Sequence, residues 1–110
     1  MSKPNILFLM ADQMQGRVFE PGHPCLTPNF DWLMARGVRF TRAYTPNAVC
    51  SPARASLMTG LLPHNHGVLT VTHTVAADQS RLRTHHPHWA QRLDAAGYRT
   101  GYFGKWHVEE

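Results

Sequence analysis

Asn5-Ile6-Leu7-Phe8-Leu9-Met10-Ala11-Asp12-Gln13 is an apolar run that stops abruptly at an acid and an amide. A run apolar on both faces suits a central parallel strand covered by helices, whereas a half-exposed strand would alternate. It is too short to span a bilayer and no small-residue cleavage site follows it, so a buried strand in a cytoplasmic chain is the expectation. Working outward, Pro21, Gly22 and Pro24 mark a loop. Thr27 before Pro28 then pairs a cap residue with proline at the first helical position; Phe30, Leu33 and Met34 follow at helical spacing, and Gly37 is the stop. Val38 to Tyr44 alternates like a strand. Ser51-Pro52 predicts a second helix closed by Gly60, and Trp89 with Leu93 predicts a third over about His88–Ala96, before Gly97. Residues 61–87 read as a long irregular segment, of a kind often functional in compact domains. Tyr98 to Phe103 is the last strand, with Gly104-Lys105-Trp106-His107 at its end. The order β–α–β–α–α–β predicts an α/β fold with a mostly parallel sheet flanked by helices. Ligands of such sheets bind beyond the carboxyl ends of strands, where Asp12 and the Lys105/His107 pair would lie.

A chain of 110 residues is one domain or a piece of one. Hydrophobic content of 43% against 16% charged indicates a globular chain rather than a disordered one. Two cysteines, Cys25 and Cys50, give neither a disulfide framework nor a four-thiolate zinc site. The net charge of +4 is scattered from Lys3 to Lys105 without a run or helical stripe, so no nucleic-acid or membrane partner is expected. His85-His86-Pro87-His88 crowds imidazoles together, but Pro87 and the lack of a carboxylate or thiolate at useful spacing make it a polar loop.

The chemistry centres on Cys50-Ser51-Pro52-Ala53-Arg54. At a helix N-terminus, free backbone N–H groups and the positive end of the dipole favour an anion such as sulfate or phosphate. Arg54 lies near the same helix end and can neutralise an anionic ester. The spacing alone fits equally a buried cysteine beside a surface arginine. A phosphatase using the Cys50 thiolate directly would need more residues between cysteine and arginine.

Extended to Gly60, this segment resembles the signature of the sulfatase family. Asn5 to Gln13 resembles the family's first strand with its metal-binding acid. Thr27-Pro28-Asn29-Phe30-Asp31-Trp32-Leu33 with Gly37-Val38-Arg39-Phe40, then Leu62 to Val68, and finally Gly104-Lys105-Trp106-His107, continue the resemblance in family order. The resemblance implies an alkaline-phosphatase-like α/β fold, incomplete in this chain, with residues 1–110 as the N-terminal part of the catalytic domain. It implies conversion of Cys50 to formylglycine by a formylglycine-generating enzyme. One hydroxyl of the hydrated aldehyde would attack the sulfur of a sulfate ester, and the other would expel sulfate by re-forming the aldehyde. It further implies a divalent cation, Ca2+ ahead of Mg2+, with Asp12 and the modified Cys50 among its ligands. Arg54 would brace the modified side chain, and Lys105 and His107 would contact sulfate oxygens or the gem-diol. His64 and His66 receive no role beyond the pocket wall. Gln13 stands where many members carry a second acid, which leaves its part open. Family members are several times longer, with further metal ligands, later strands and a smaller C-terminal domain. A phosphonate or phosphate ester hydrolase of the same superfamily and a non-catalytic truncated remnant are the alternative readings.

Overall fold

Thr27 ahead of Pro28 does begin a helix. In the computed structural model, which describes residues 3–76 and 78–109, α1 runs Pro28–Met34 with Thr27 at its N-cap position. The Thr27 hydroxyl does not cap the backbone; it donates to the Asp31 carboxylate one turn on, at 3.3 Å. The helix ends where the Gly37 N–H reaches the Leu33 carbonyl at 2.9 Å. Gly16–Phe19 forms a 3₁₀ turn ahead of it, and the Phe19 ring packs on Phe30 with centroids 5.0 Å apart. These elements belong to the first of two compact units, residues 1–42, in which no described residue is buried.

The second unit, residues 43–110, holds α2 (Cys50–Thr59), α3 (Pro63–His66), a 3₁₀ turn at Thr72–Thr74, and α4 (Trp89–Ala95). Helix α2 starts two residues before the predicted Pro52: Val49, not Ser51, is the N-cap residue, and the Asn47 side chain accepts the Val49 N–H at 2.8 Å. Pro52 then falls inside the first turn, where a missing N–H costs nothing. Gly60 closes α2 in the left-handed conformation (φ +72°), its N–H on the Ser56 carbonyl at 2.8 Å. Helix α4 begins with a reciprocal cap: His88 Nδ1 accepts the Gln91 N–H, and Gln91 Oε1 accepts the His88 N–H. Helix α2 packs against α3 and α4. Ala55, Val68, Leu82 and Val108 form the core beneath it, with Trp106 at the edge.

His66 is fully buried and ties α3 to α2. Its Nδ1 accepts the Val68 N–H at 3.1 Å, which places the neutral ring's proton on Nε2, 2.9 Å from Ser56 Oγ. Burial removes the water that would stabilise an imidazolium and holds the His66 pKa below its ordinary 6.5; a hydrogen bond to the Pro52 backbone opposes this, and the charges of Arg83 and His64 add to it. Because the unfolded chain takes up this proton more readily than the folded one, the contribution is whole above about pH 6.5 and is lost as pH falls through the lower folded value. Urea midpoints at pH 7.5 and 5.5 check this. The wild-type midpoint is expected to fall between them by clearly more than that of a His66→Gln variant, and parallel falls would contradict the assignment.

The three predicted strands are not formed: among the described residues there is no β-strand, so the α/β sheet expected from the sequence is not present in them. Leu7 is 83% exposed, Phe40 80% and Phe103 96%. Periodicity identifies a segment fit for a sheet, but a run apolar on both faces becomes a strand only with neighbours along both edges and layers over both faces. Neither unit supplies them internally. No helix among the described residues is long and apolar enough to cross a membrane.

Candidate active site

The first turn of α2 carries Cys50 at its first position, half-buried and with a free thiol. The first in-helix bond is Ala53 N–H to Val49 C=O, so the amides of Cys50 and Ser51 precede the helical ladder, at the end of a ten-residue helix where the dipole is positive. Ser51 is fully buried, and its Oγ accepts the Thr72 N–H at 3.4 Å. The 3₁₀ turn is thereby fastened to the residue next to Cys50.

Arg54 is also buried, at 7% exposure, rather than lying on the surface. Its Nη1 donates to the Lys105 carbonyl at 2.6 Å, across 51 residues of sequence. The Tyr102 hydroxyl donates to the same carbonyl. Burying a guanidinium is costly unless its donors are taken, so this bond orders both the side chain and the segment that it holds. The Lys105 side chain itself is exposed. Two residues on, His107 takes a left-handed backbone (φ +52°), uncommon outside glycine, between Trp106 at the core edge and the fully buried Val108. Cys50, Arg54, Lys105 and His107 thus share one unit, and Arg54 joins the two motifs that contain them.

Asp12 belongs to the other unit, at an exposed bend followed by Gln13 in a left-handed conformation (φ +54°). Among the described residues no group of three or more His, Cys, Asp or Glu side chains is placed to hold a metal ion. A hard cation such as Ca2+ takes about six to eight oxygen ligands. Asp12 and Cys50 do not amount to such a set. A cleft of about 460 Å³ is lined by His64, Gly67, Asp78, Arg81 and Arg83 among others, and by none of the predicted site residues.

Sequence reading passed over two residues at this site. His66 fixes α3 on α2, and His73, from the 3₁₀ turn, has its Nδ1 2.9 Å from His107 Nε2. His66 sits in a segment already singled out by resemblance. For His73, 34 residues away from its partner, no local pattern gives a signal.

Residues 4–110 match the family described as Sulfatase. Among curated relatives, arylsulfatase A of Bos taurus is 43% identical over 111 residues, covering 97% of this chain and 21% of the relative. Choline-sulfatase of Rhizobium meliloti is 40% identical over 107 residues, covering 96% and 20%. N-acetylglucosamine-6-O-sulfatase of Bacteroides thetaiotaomicron is 34% identical over 108 residues, covering 96% and 18%. The chain therefore spans about a fifth of the length of the curated relatives it matches. No solved structure matches it.

Proposed function

The chain belongs to the sulfatase family, and from that premise we propose that it carries the nucleophile side of a site that hydrolyses sulfate esters. The observation that carries this reading is the Arg54–Lys105 hydrogen bond. It fastens the segment bearing Lys105 and His107 to the helix whose first residue is Cys50. Conversion of Cys50 to formylglycine supplies, in its hydrated form, a hydroxyl for attack at sulfur and a second for release of sulfate. The protein's own contribution is electrostatic. The first-turn amides of α2 and the positive end of its dipole favour the ester's negative charge. Lys105 adds a cation on the segment that Arg54 fixes, and His107 stands beside it on the anion side. Charge that grows in the transition state is stabilised by groups already in place, which is where such sites gain most. Asp12, with Gln13 after it, enters as a metal-side residue on resemblance alone. Within the same reading, residues 1–110 are the N-terminal part of a catalytic domain, in which 5–11, 38–44 and 98–103 would become strands of its α/β sheet only where that domain supplies their neighbours.

Relatives named for aryl, choline and N-acetylglucosamine sulfates differ in the alcohol, so the sulfate ester is the shared part of the substrate. The deciding experiment is mass analysis of the tryptic peptide from Ala43 to Arg54 after expression with a formylglycine-generating enzyme. The expected product carries an aldehyde in place of the Cys50 thiol. A peptide that stays wholly unmodified under those conditions sinks the formylglycine mechanism.

A further inference from the structure

The cleft of about 460 Å³ shares no lining residue with the Cys50 site, and its wall is cationic: Arg81 and Arg83 line it together with His64, against one acid, Asp78. Gly67 lines it too, and carries no side chain. A Cβ there would stand 3.1 Å from Arg83 Cγ and 3.4 Å from Arg83 Nε, so the bare glycine is what lets the Arg83 side chain lie over the end of α3. In that position Arg83 Nη1 donates to the His64 carbonyl at 3.0 Å and to the Asn65 carbonyl at 3.3 Å. The Arg83 N–H donates to the His66 carbonyl at 2.9 Å, which holds the backbone of the same residue.

These bonds decide which part of the guanidinium remains for a ligand. With Nη1 on two carbonyls, the edge formed by Nε and Nη2 makes no hydrogen bond among the described residues. That edge is one of those by which a guanidinium grips an oxyanion through two parallel N–H bonds. Fixing it before a ligand arrives removes much of the ordering cost of binding. The Arg81 side chain, exposed on the same cleft, has no hydrogen bond or ion pair among the described residues, and Asp78 forms no ion pair with either arginine there. The positive charge is felt inside the unit as well. The pKa of His66, next to Gly67, is lowered first by burial and further by the charges of Arg83 and His64. A tetrahedral oxyanion can use both guanidiniums at once, because it keeps oxygens beyond the pair that Arg83 engages.

We propose that this cleft is a second anion site, which takes a sulfate-type oxyanion on the Nε–Nη2 edge of Arg83 with Arg81 as the second cation. It requires neither conversion of Cys50 nor turnover, so it stands apart from the sulfatase chemistry of the first site.

Arginine side-chain NMR reads the cleft directly, with inorganic sulfate as the probe and chloride at matched ionic strength as the reference. The Arg83 Nε–H resonance is expected to shift saturably with sulfate and hardly at all with chloride. Arg81→Gln breaks no bond of the fold and should weaken sulfate binding by about tenfold. Arg83→Lys keeps the charge but loses the two-donor edge, and should weaken it similarly when followed at Arg81. A urea midpoint shows whether Arg83→Lys still folds; if it does not, Arg81→Gln carries the test. Asp78→Asn removes the one opposing charge and should tighten binding by about two- to fivefold. A sulfate shift no larger than that given by chloride, or an unchanged affinity in Arg81→Gln, overturns the proposal. The source of the oxyanion is read by titrating a sulfated monosaccharide into Cys50→Ala protein. Tighter binding than inorganic sulfate assigns the cleft to the sulfate group of a sugar ester, and weaker binding assigns it to the free ion.

Discussion

Cys50→Ala is expected to lower turnover of an aryl sulfate ester by at least about a thousandfold in kcat while leaving the fold unchanged. Both halves of that statement follow from the place of Cys50 at the first position of α2. Alanine is a good helix residue, and the packing of α2 rests on Ser51, Pro52, Arg54, Ala55, Ser56 and Met58, all buried, rather than on the half-buried thiol. On the formylglycine reading, the substitution therefore removes the sulfur without which Cβ cannot be converted to the aldehyde, and little else. Initial rates measured alongside circular dichroism and a urea midpoint separate the two effects. Activity within tenfold of the parent, in protein whose parent shows the formylglycine peptide, would remove Cys50 from the nucleophile's place.

The largest effect on stability is expected at Gly67. It ends α3 with φ +90°, where side-chain-bearing residues are strained. An added Cβ would also lie 2.5 Å from the Arg81 backbone carbonyl oxygen, and that carbonyl cannot swing aside as a flexible side chain can. Next to it, the Arg83 N–H is bonded to the His66 carbonyl at 2.9 Å, so displacing the strip 81–83 also disturbs the buried histidine. Gly67→Ala should cost about 3–5 kcal/mol in urea unfolding. Gly60→Ala is the control: φ is +72°, but no atom lies within 4 Å of the new Cβ, so it should cost only about 1 kcal/mol. Equal costs at the two positions would mean that backbone strain alone, without the clash, governs them.

Helices were legible in the sequence because their causes are local. Thr27-Pro28, Gly60, and Trp89 with Leu93 mark boundaries by residues within a turn of one another, and α1, α2 and α4 lie within a residue or two of their expected limits. The sheet was not recoverable in the described residues because a strand's partners are not local; Ile6 to Met10 announces what it needs but not what meets it. The candidate site divides in the same way. Cys50 at a helix start and Arg54 on the same helix follow from short spacing. The burial of Arg54 against Lys105 and the contact of His73 with His107 depend on chain reversals that no window of sequence displays.

The separation of 51 positions from Arg54 to Lys105 also sets a clock. During synthesis at about 5–20 residues per second, α2, which ends at Thr59, is complete about 2–9 s before Lys105 is added. In that interval Ser51 and Pro52, sealed in the finished unit, remain open immediately after Cys50. On the formylglycine reading proposed above, an enzyme that converts Cys50 has that interval in which to act, and slowing translation between codons 60 and 105 is expected to raise the fraction of chains converted.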